Sequence, residues 1–284
     1  MKKVILSISA MLFGTAMVLA QGAAVSTYAA NYSIVTEVGN GNSAAIVQTG
    51  DHHLSSVNQD GMNFAFGGSQ NQAFVNQSGE NQQAIIGSHG DKNTARVVQK
   101  DQFNLATIDQ GVGYAEKNSA TARQDGEKNE SSQKQRFDRN TGLVVQDGNL
   151  NEAFQDQSTL TNLAKGSEAI IRQDGNRNDA YQTQRGEDNF AKTIQDGNRN
   201  KAWTTQTGDK NDAMTFQDGN KNKAWATQTG DKNTAITRQS GDENWSKIMQ
   251  LGDNNYSRVI QENGLQMSMV SQTGNNNNVT VRQD

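Results

Sequence analysis

A glutamine that returns every eleven residues is the feature that most constrains how this chain folds. It recurs without interruption from Gln173 to Gln283. In most of these units Gly follows two places after the Gln, and Asn opens the next unit five places after it. Ala or Ser usually lies two places beyond the Asn. The unit therefore reads Asn-x-Ala-x-x-x-Gln-x-Gly-x-x, and a fixed period of this kind predicts a repeat architecture.

The spacing within one unit predicts a strand followed by a turn. Asn, Ala, the variable fifth position and Gln stand at even offsets, so their side chains share one face of an extended strand. The Gly that follows supplies a positive φ without steric cost, and its Asn and Asp neighbours favour a tight reversal. Each unit is thus interpreted as one strand with an inward face, closed by one turn.

The full period is two such units. Residues 195–216 are identical to residues 217–238 at 17 of 22 positions, and two kinds of turn sequence alternate along the chain. A rung then contains two strands and two turns, and rungs stack at about 4.8 Å, the distance between hydrogen-bonded strands. The predicted fold class is all-β: a parallel β-solenoid with amyloid-like stacking, about eleven rungs and roughly 50 Å tall.

Stacking would bring identical amide side chains into continuous columns. Each amide has a donor and an acceptor, so each can bond the copy above and the copy below while it remains buried. The candidate stacking and self-assembly residues are Asn178, Gln184, Asn189, Gln195, Asn200, Gln206, Asn211, Gln217, Asn222, Gln228, Asn233 and Gln239. The candidate turn glycines are Gly175, Gly186, Gly197, Gly208, Gly219, Gly230 and Gly241.

The composition agrees with a core built from amides. Hydrophobic residues make up only 33%, Asn and Gln number 33 and 30, and there is no Pro. The absence of Cys excludes disulfides and thiolate chemistry, and a net charge of -4 with both signs mixed argues against a nucleic-acid partner. His52 and His53 would face opposite sides of a strand. No catalytic, cofactor or metal site is predicted, and the chain is interpreted as not being an enzyme.

The chain divides into three segments of different character. Residues 1–20, with Lys2 and Lys3 before an apolar run, are predicted to be a signal peptide. Residues 21–30 form a short segment before the first repeat, and residues 31–284 form the repeat region. Insertions near 60–70, 111–117 and 158–167 are expected in loops. No membrane span is predicted in the mature chain.

Some units depart from the pattern, and no unit resembles a cap. Glu37 stands for Gln in the first unit, Ser88 replaces Gln in another, and Asp101 and Phe137 replace Gly. The last unit ends one residue after Gln283, which predicts an open strand edge. An uncapped edge is a template for another chain, so polymerisation is expected.

The doubled repeat, placed after a signal peptide, resembles the curlin repeat of bacterial curli subunits. The resemblance spans most of the mature chain. It implies export through an outer-membrane pore with periplasmic accessory proteins, and assembly outside the cell into amyloid fibres for adhesion, surface attachment and biofilm matrix. The partners implied are further copies of the chain and other curlin subunits. The family's assembly positions map onto Asn178, Gln184, Asn189, Gln195 and their copies.

Two other function classes remain open from the sequence. A monomeric solenoid could bind ice or carbohydrate through a ladder of Thr193, Thr215 and Thr237, although these threonines occupy the inward fifth position. The outward Tyr181, Trp203 and Trp225 recur every twenty-two residues and are interpreted as a stacked ladder rather than a binding surface. An enzyme on a solenoid scaffold is the third class.

Overall fold

The computed structural model describes residues 31–60, 70–111, 115–159 and 165–284. These residues form twenty-two β-strands. The predicted signal peptide and residues 21–30 lie outside the described residues, as do most residues of the three expected insertions. Within the described part, no helix has the length and apolar character needed to cross a membrane.

The odd-numbered strands form one parallel sheet and the even-numbered strands form another. The first sheet contains β1 Tyr32–Val38, β3 Leu54–Asp60, β5 Gln83–His89, β7 Leu105–Gln110, β9 Glu130–Arg136, β11 Glu152–Ser158, β13 Asp179–Arg185, β15 Lys201–Thr207, β17 Lys223–Thr229, β19 Trp245–Leu251 and β21 Met267–Thr273. The second contains β2 Ser43–Asp51, β4 Gln72–Glu80, β6 Thr94–Gln102, β8 Ser119–Asp125, β10 Thr141–Asn149, β12 Glu168–Asn176, β14 Phe190–Asn198, β16 Asp212–Asp218, β18 Thr234–Ser240, β20 Tyr256–Gln261 and β22 Asn278–Gln283.

Within each sheet the strands follow one another in chain order, which confirms the predicted parallel β-solenoid. Each sheet has eleven strands, so the chain makes eleven rungs of two strands. The register confirms the twenty-two-residue period, since Lys201 pairs with Lys223 and Trp203 with Trp225. Identical positions of successive rungs therefore lie directly above one another.

Pairing returns to the same register after each irregular rung. The separation of paired residues rises to 29 between β3 and β5, to 25 between β6 and β8, and to 27 between β10 and β12. The extra residues fall in the connections β3–β4, β7–β8 and β11–β12, all of which lead from the first sheet to the second. The described strands before and after each insertion therefore keep the common register. The prediction that the insertions form loops falls mostly outside the described residues.

Alternate side chains of every central strand face the interior, as the even offsets predict. In β13, Ala180, Gln182 and Gln184 are buried while the residues between them are partly exposed. Small Ala side chains at the second strand position let the two sheets lie close together. The fourth position supplies apolar clusters in the first four and the last three rungs, and Gln or Thr in at least one strand of each rung between them.

Candidate functional site

A continuous column of eleven glutamines runs through the second sheet from Gln48 to Gln283. In each rung the side-chain Nε2 donates to the Oε1 of the next glutamine toward the C-terminus, at 2.8 to 2.9 Å. Side-chain amides therefore bridge all eleven rungs of this sheet by hydrogen bonds that repeat the backbone pairing.

Backbone carbonyls fix the orientation of each amide in the column. Gln206 of the first sheet donates from Nε2 to Gln228 Oε1 at 2.9 Å, to the Phe190 carbonyl at 2.9 Å and to the Asn211 carbonyl at 2.8 Å. Its own Oε1 accepts from Gln184 Nε2 at 2.9 Å. Nε2 therefore also links the two sheets, and in every hydrogen-bonded glutamine pair of the two columns the donor points toward the C-terminal end of the solenoid.

The matching column of the first sheet is interrupted near its start. From Ser88 to Gln272 the chain of hydrogen bonds is continuous, with the Ser88 hydroxyl donating to Gln110 at 3.0 Å. Gln59 lies one rung nearer the N-terminus than Ser88. It is fully buried, and neither polar atom of its amide has a hydrogen-bond partner. Glu37 occupies the first position of the column. A carboxylate is an acceptor only, so an ionised Glu37 cannot donate to Gln59.

The asparagines of the candidate set are buried as expected, but they bond the backbone more than one another. Asn178 Oδ1 accepts from the backbone N–H of Asn200 at 3.0 Å. Its Nδ2 donates to the carbonyl of Gly197, in the turn of the next rung, at 2.8 Å. In the second sheet, Asn189 makes the same two contacts with Asn211 and Gly208. Each Asn therefore holds the next rung's turn in place.

All twelve candidate stacking residues lie at inward positions with at most 1% exposure. The seven candidate turn glycines have φ between 93° and 118°. At Gly197 a Cβ atom would lie 2.1 Å from the carbonyl oxygen of Gly219, so stacking as well as φ requires glycine there. Sequence reasoning missed a second left-handed residue two places later, where Arg177, Arg199 and Lys221 have φ of 58° to 60°.

The outer face of the first sheet carries an aromatic stack. Tyr181 and Trp203 stack at 5.9 Å between ring centroids, and Trp203 and Trp225 at 4.9 Å, in both cases with rings nearly parallel. This confirms the ladder interpretation, since the faces of the rings are turned toward one another. Beside the stack, Thr183, Thr205 and Thr227 form an outward column. Thr193, Thr215 and Thr237 are buried, so the threonines considered for ice binding do not reach the surface.

The histidines do not converge. His53 is buried at the Asn position and His52 is exposed, so the two face opposite ways as predicted. Desolvation lowers the pKa of His53, against a hydrogen bond to the Thr49 carbonyl. Among the described residues, no group of three His, Asp or Glu side chains is placed to hold a metal ion.

At each end of the described solenoid, the outermost strand of each sheet is paired on one side only. In the first sheet β1 and β21 are outermost, and in the second β2 and β22 are outermost. Inward apolar side chains of these strands are only partly covered, including Val35 and Ala44 at one end and Val279 and Val281 at the other. Each end therefore exposes backbone hydrogen-bonding groups together with part of the core.

These features define a class: a parallel β-solenoid whose rungs are joined by buried amide columns. Part of this solenoid is similar to a known family: the model for the curlin associated repeat matches residues 186–214, 208–236 and 230–262. The rungs on either side of the matched residues have the same strand pairing. No match was found among curated proteins.

Proposed function

We propose that the protein is a secreted structural subunit that assembles head to tail into extracellular, curli-like amyloid fibres. The fibres would serve cell adhesion, surface attachment and the biofilm matrix. Export through an outer-membrane pore, periplasmic accessory proteins and co-assembly with other curlin subunits belong to the same proposal. The predicted signal peptide and the curlin repeats support it.

The observation that carries the proposal is that, among the described residues, the outermost strands at both ends have a free edge and are alike. A repeat protein that stays monomeric needs terminal units with a polar outer side. Here the inward positions of β22 are Val279, Val281 and Gln283, and those of β2 are Ala44, Ile46 and Gln48. A contact between two different ends of one molecule repeats without closing, which gives a filament.

The direct test is to follow the chain without residues 1–20 at micromolar concentration. We expect thioflavin fluorescence to rise after a lag and unbranched fibres to be visible by electron microscopy. Preformed fibres should shorten the lag, because their ends already present folded strands with free backbone hydrogen-bonding groups. A chain that remained folded and monomeric for days would contradict the proposal.

A charge at the C-terminal edge should block elongation. Val281→Lys places an ammonium at an inward position of the last strand, which would be buried only when another molecule docks. We expect elongation on preformed fibres to fall at least about tenfold, since burying an unpaired charge is strongly unfavourable. Thr280→Lys, outward in the same strand, is the matched control and should elongate normally. Circular dichroism should show that both variants fold; equal elongation by both would contradict the open-edge account.

A second candidate function rests on the outward Thr183, Thr205 and Thr227 beside the aromatic stack. A regular, flat threonine column of this kind suits a monomeric solenoid that binds ice or carbohydrate. That function predicts a stable monomer with thermal hysteresis or polysaccharide binding that Thr205→Lys abolishes.

A further inference from the structure

The amide columns give the solenoid a polarity that bears on how two copies meet. Every donor of the glutamine columns points toward the C-terminal end, so Gln272 and Gln283 present Nε2 groups at the outer side of the last described rung. The N-terminal end presents the corresponding acceptors, the Glu37 carboxyl and Gln48 Oε1, which accepts from the Ser33 hydroxyl at 2.9 Å and has a second lone pair. Donors meet acceptors only when unlike ends meet.

Backbone contacts of the Asn position require the same polarity. In successive rungs the side-chain oxygen accepts from the backbone N–H of the next rung, as Asn244 does from Gln266 at 3.0 Å. At the C-terminal end Gln266 Oε1 is buried and has no partner. The next N–H in that column would belong to Asn31 of a following molecule.

Side chains of the end strands match position by position when β21 lies on β1 and β22 on β2. Inward Ser268 then lies on Ser33, and Val270 on Val35. In the second sheet Val281 lies on Ile46. On the outer face, Met267 and Met269, which are 70% and 64% exposed, lie over Tyr32 and Ile34. Apolar groups meet apolar groups both inside and outside, and their exposed area is reduced.

Glu37 is the one inward position at this junction where the hydrogen-bond donors and acceptors of the glutamine column are not all paired. Gln272 Nε2 would donate to it from one side. On the other side lies Gln59 Oε1, which is fully buried. It lacks the hydrogen-bond donor that each glutamine Oε1 after Ser88 in this column has. A neutral carboxyl group has both an acceptor and a donor, as an amide does, and would satisfy both neighbours.

We propose that copies join with β21 on β1 and β22 on β2, and that a protonated Glu37 bridges Gln272 of one copy and Gln59 of the next. This inference rests on the proposed function and adds to it a register, a polarity and a dependence on pH. The other inward side chains of β1, β2 and β3 are uncharged. The acidic residues of these strands, Asp51 and Asp60, occupy their last positions, and His53 precedes β3.

The sign of the pH dependence follows from burial. Desolvation raises the pKa of Glu37 above its ordinary value of 4.5, against a backbone hydrogen bond from Ala44 that lowers it. A second copy covers the carboxyl further, so joining raises the pKa again and takes up a proton. Joining is therefore favoured below the pKa of the free end and weakens as the pH rises through the higher pKa of the junction.

The first experiment compares critical concentrations for fibre growth at pH 5 and pH 7. We expect the value for the unmodified chain to rise about tenfold or more over this range, because one linked proton changes an equilibrium up to tenfold per pH unit. Glu37→Gln should have a low critical concentration at both pH values. Glu130→Gln, an exposed outward position, is the matched control and should behave like the unmodified chain. Equal pH dependence in Glu37→Gln and Glu130→Gln would overturn the role of Glu37.

The second experiment tests the register by disulfide formation, since the chain has no Cys of its own. Outward Thr36 and Ser271 occupy the same position of β1 and β21, so in the junction their Cα atoms would be about 5 Å apart, within disulfide range. Fibres of Thr36→Cys/Ser271→Cys should give a ladder of covalent oligomers on a non-reducing gel. Thr36→Cys/Thr273→Cys, displaced by two residues, should not. Dimers from Thr36→Cys alone would show head-to-head contact and overturn the proposal.

The two proposals fail in different ways. If no variant assembles at either pH, the fibre function itself is wrong. If fibres grow but the cysteine pairs cross-link out of register, or growth ignores Glu37, only the junction is wrong.

Discussion

Gly197→Ala is expected to lower the free energy of unfolding by about 3–5 kcal/mol. Gly197 has φ of 109°, a conformation that side chains bearing a Cβ rarely adopt. The added Cβ would also lie 2.1 Å from the carbonyl oxygen of Gly219 in the next turn. That oxygen belongs to backbone that is packed in the stack of rungs, so the clash can be relieved only if the rungs separate.

The measurement is urea unfolding of freshly prepared monomer, followed by far-ultraviolet circular dichroism. Gly87→Ala is the matched control, because Gly87 lies in a strand without a positive φ and a Cβ there has 3.5 Å of room to the nearest atom, on His89. The control should change stability by less than about 0.5 kcal/mol. If Gly197→Ala were as stable as Gly87→Ala, the turns could not be stacked as closely as described.

Gln206→Ala is expected to cost about 3–5 kcal/mol, because it leaves several buried polar groups without partners. Gln184 Nε2 loses its acceptor and Gln228 Oε1 loses its donor. The carbonyls of Phe190 and Asn211 lose a donor as well. An apolar side chain of similar volume, as in Gln206→Leu, should fill the space without restoring the bonds and should recover only part of the loss.

The same unfolding experiment, with Thr205→Ala as control, checks this prediction. Thr205 adjoins Gln206 but points outward, so its replacement should change stability by less than about 0.5 kcal/mol. Similar midpoints for Gln206→Ala and Thr205→Ala would mean that the amide column contributes nothing to folding. The natural interruption at Gln59 lies in the second rung, where fewer rungs depend on continuity.

Much of the fold could be predicted from the sequence because identical residues repeat at one distance. Two strands that bear Gln184 and Gln206 at the same inward position have few ways to bury both amides, and stacking them in register satisfies each one. The alternation of two turn sequences then fixes two strands per rung. The register after each insertion could be predicted for the same reason. Only a strand that returns to the common register pairs its Gln with the Gln of the preceding rung.

The bonding within the columns could not be predicted from spacing alone. Asn178 and Gln184 both face inward, yet Asn178 has a shorter side chain and reaches the backbone of the next rung rather than its equivalent amide. The left-handed residue at Arg177 gave no signal, because its identity varies along the chain from Arg and Lys to Asp, Glu, Asn and Leu. The unpaired amide of Gln59 became visible only when Glu37 and Ser88 were placed on either side of it.

Mass per length of unstained fibres tests the central claim most directly. If each chain forms an eleven-rung solenoid and joins the next end to end, a single filament contains one chain per roughly 50 Å. If the chains instead stack as extended strands, each adding one layer, the value is one chain per about 4.8 Å. A result near the first value is predicted, and one near the second would contradict the account.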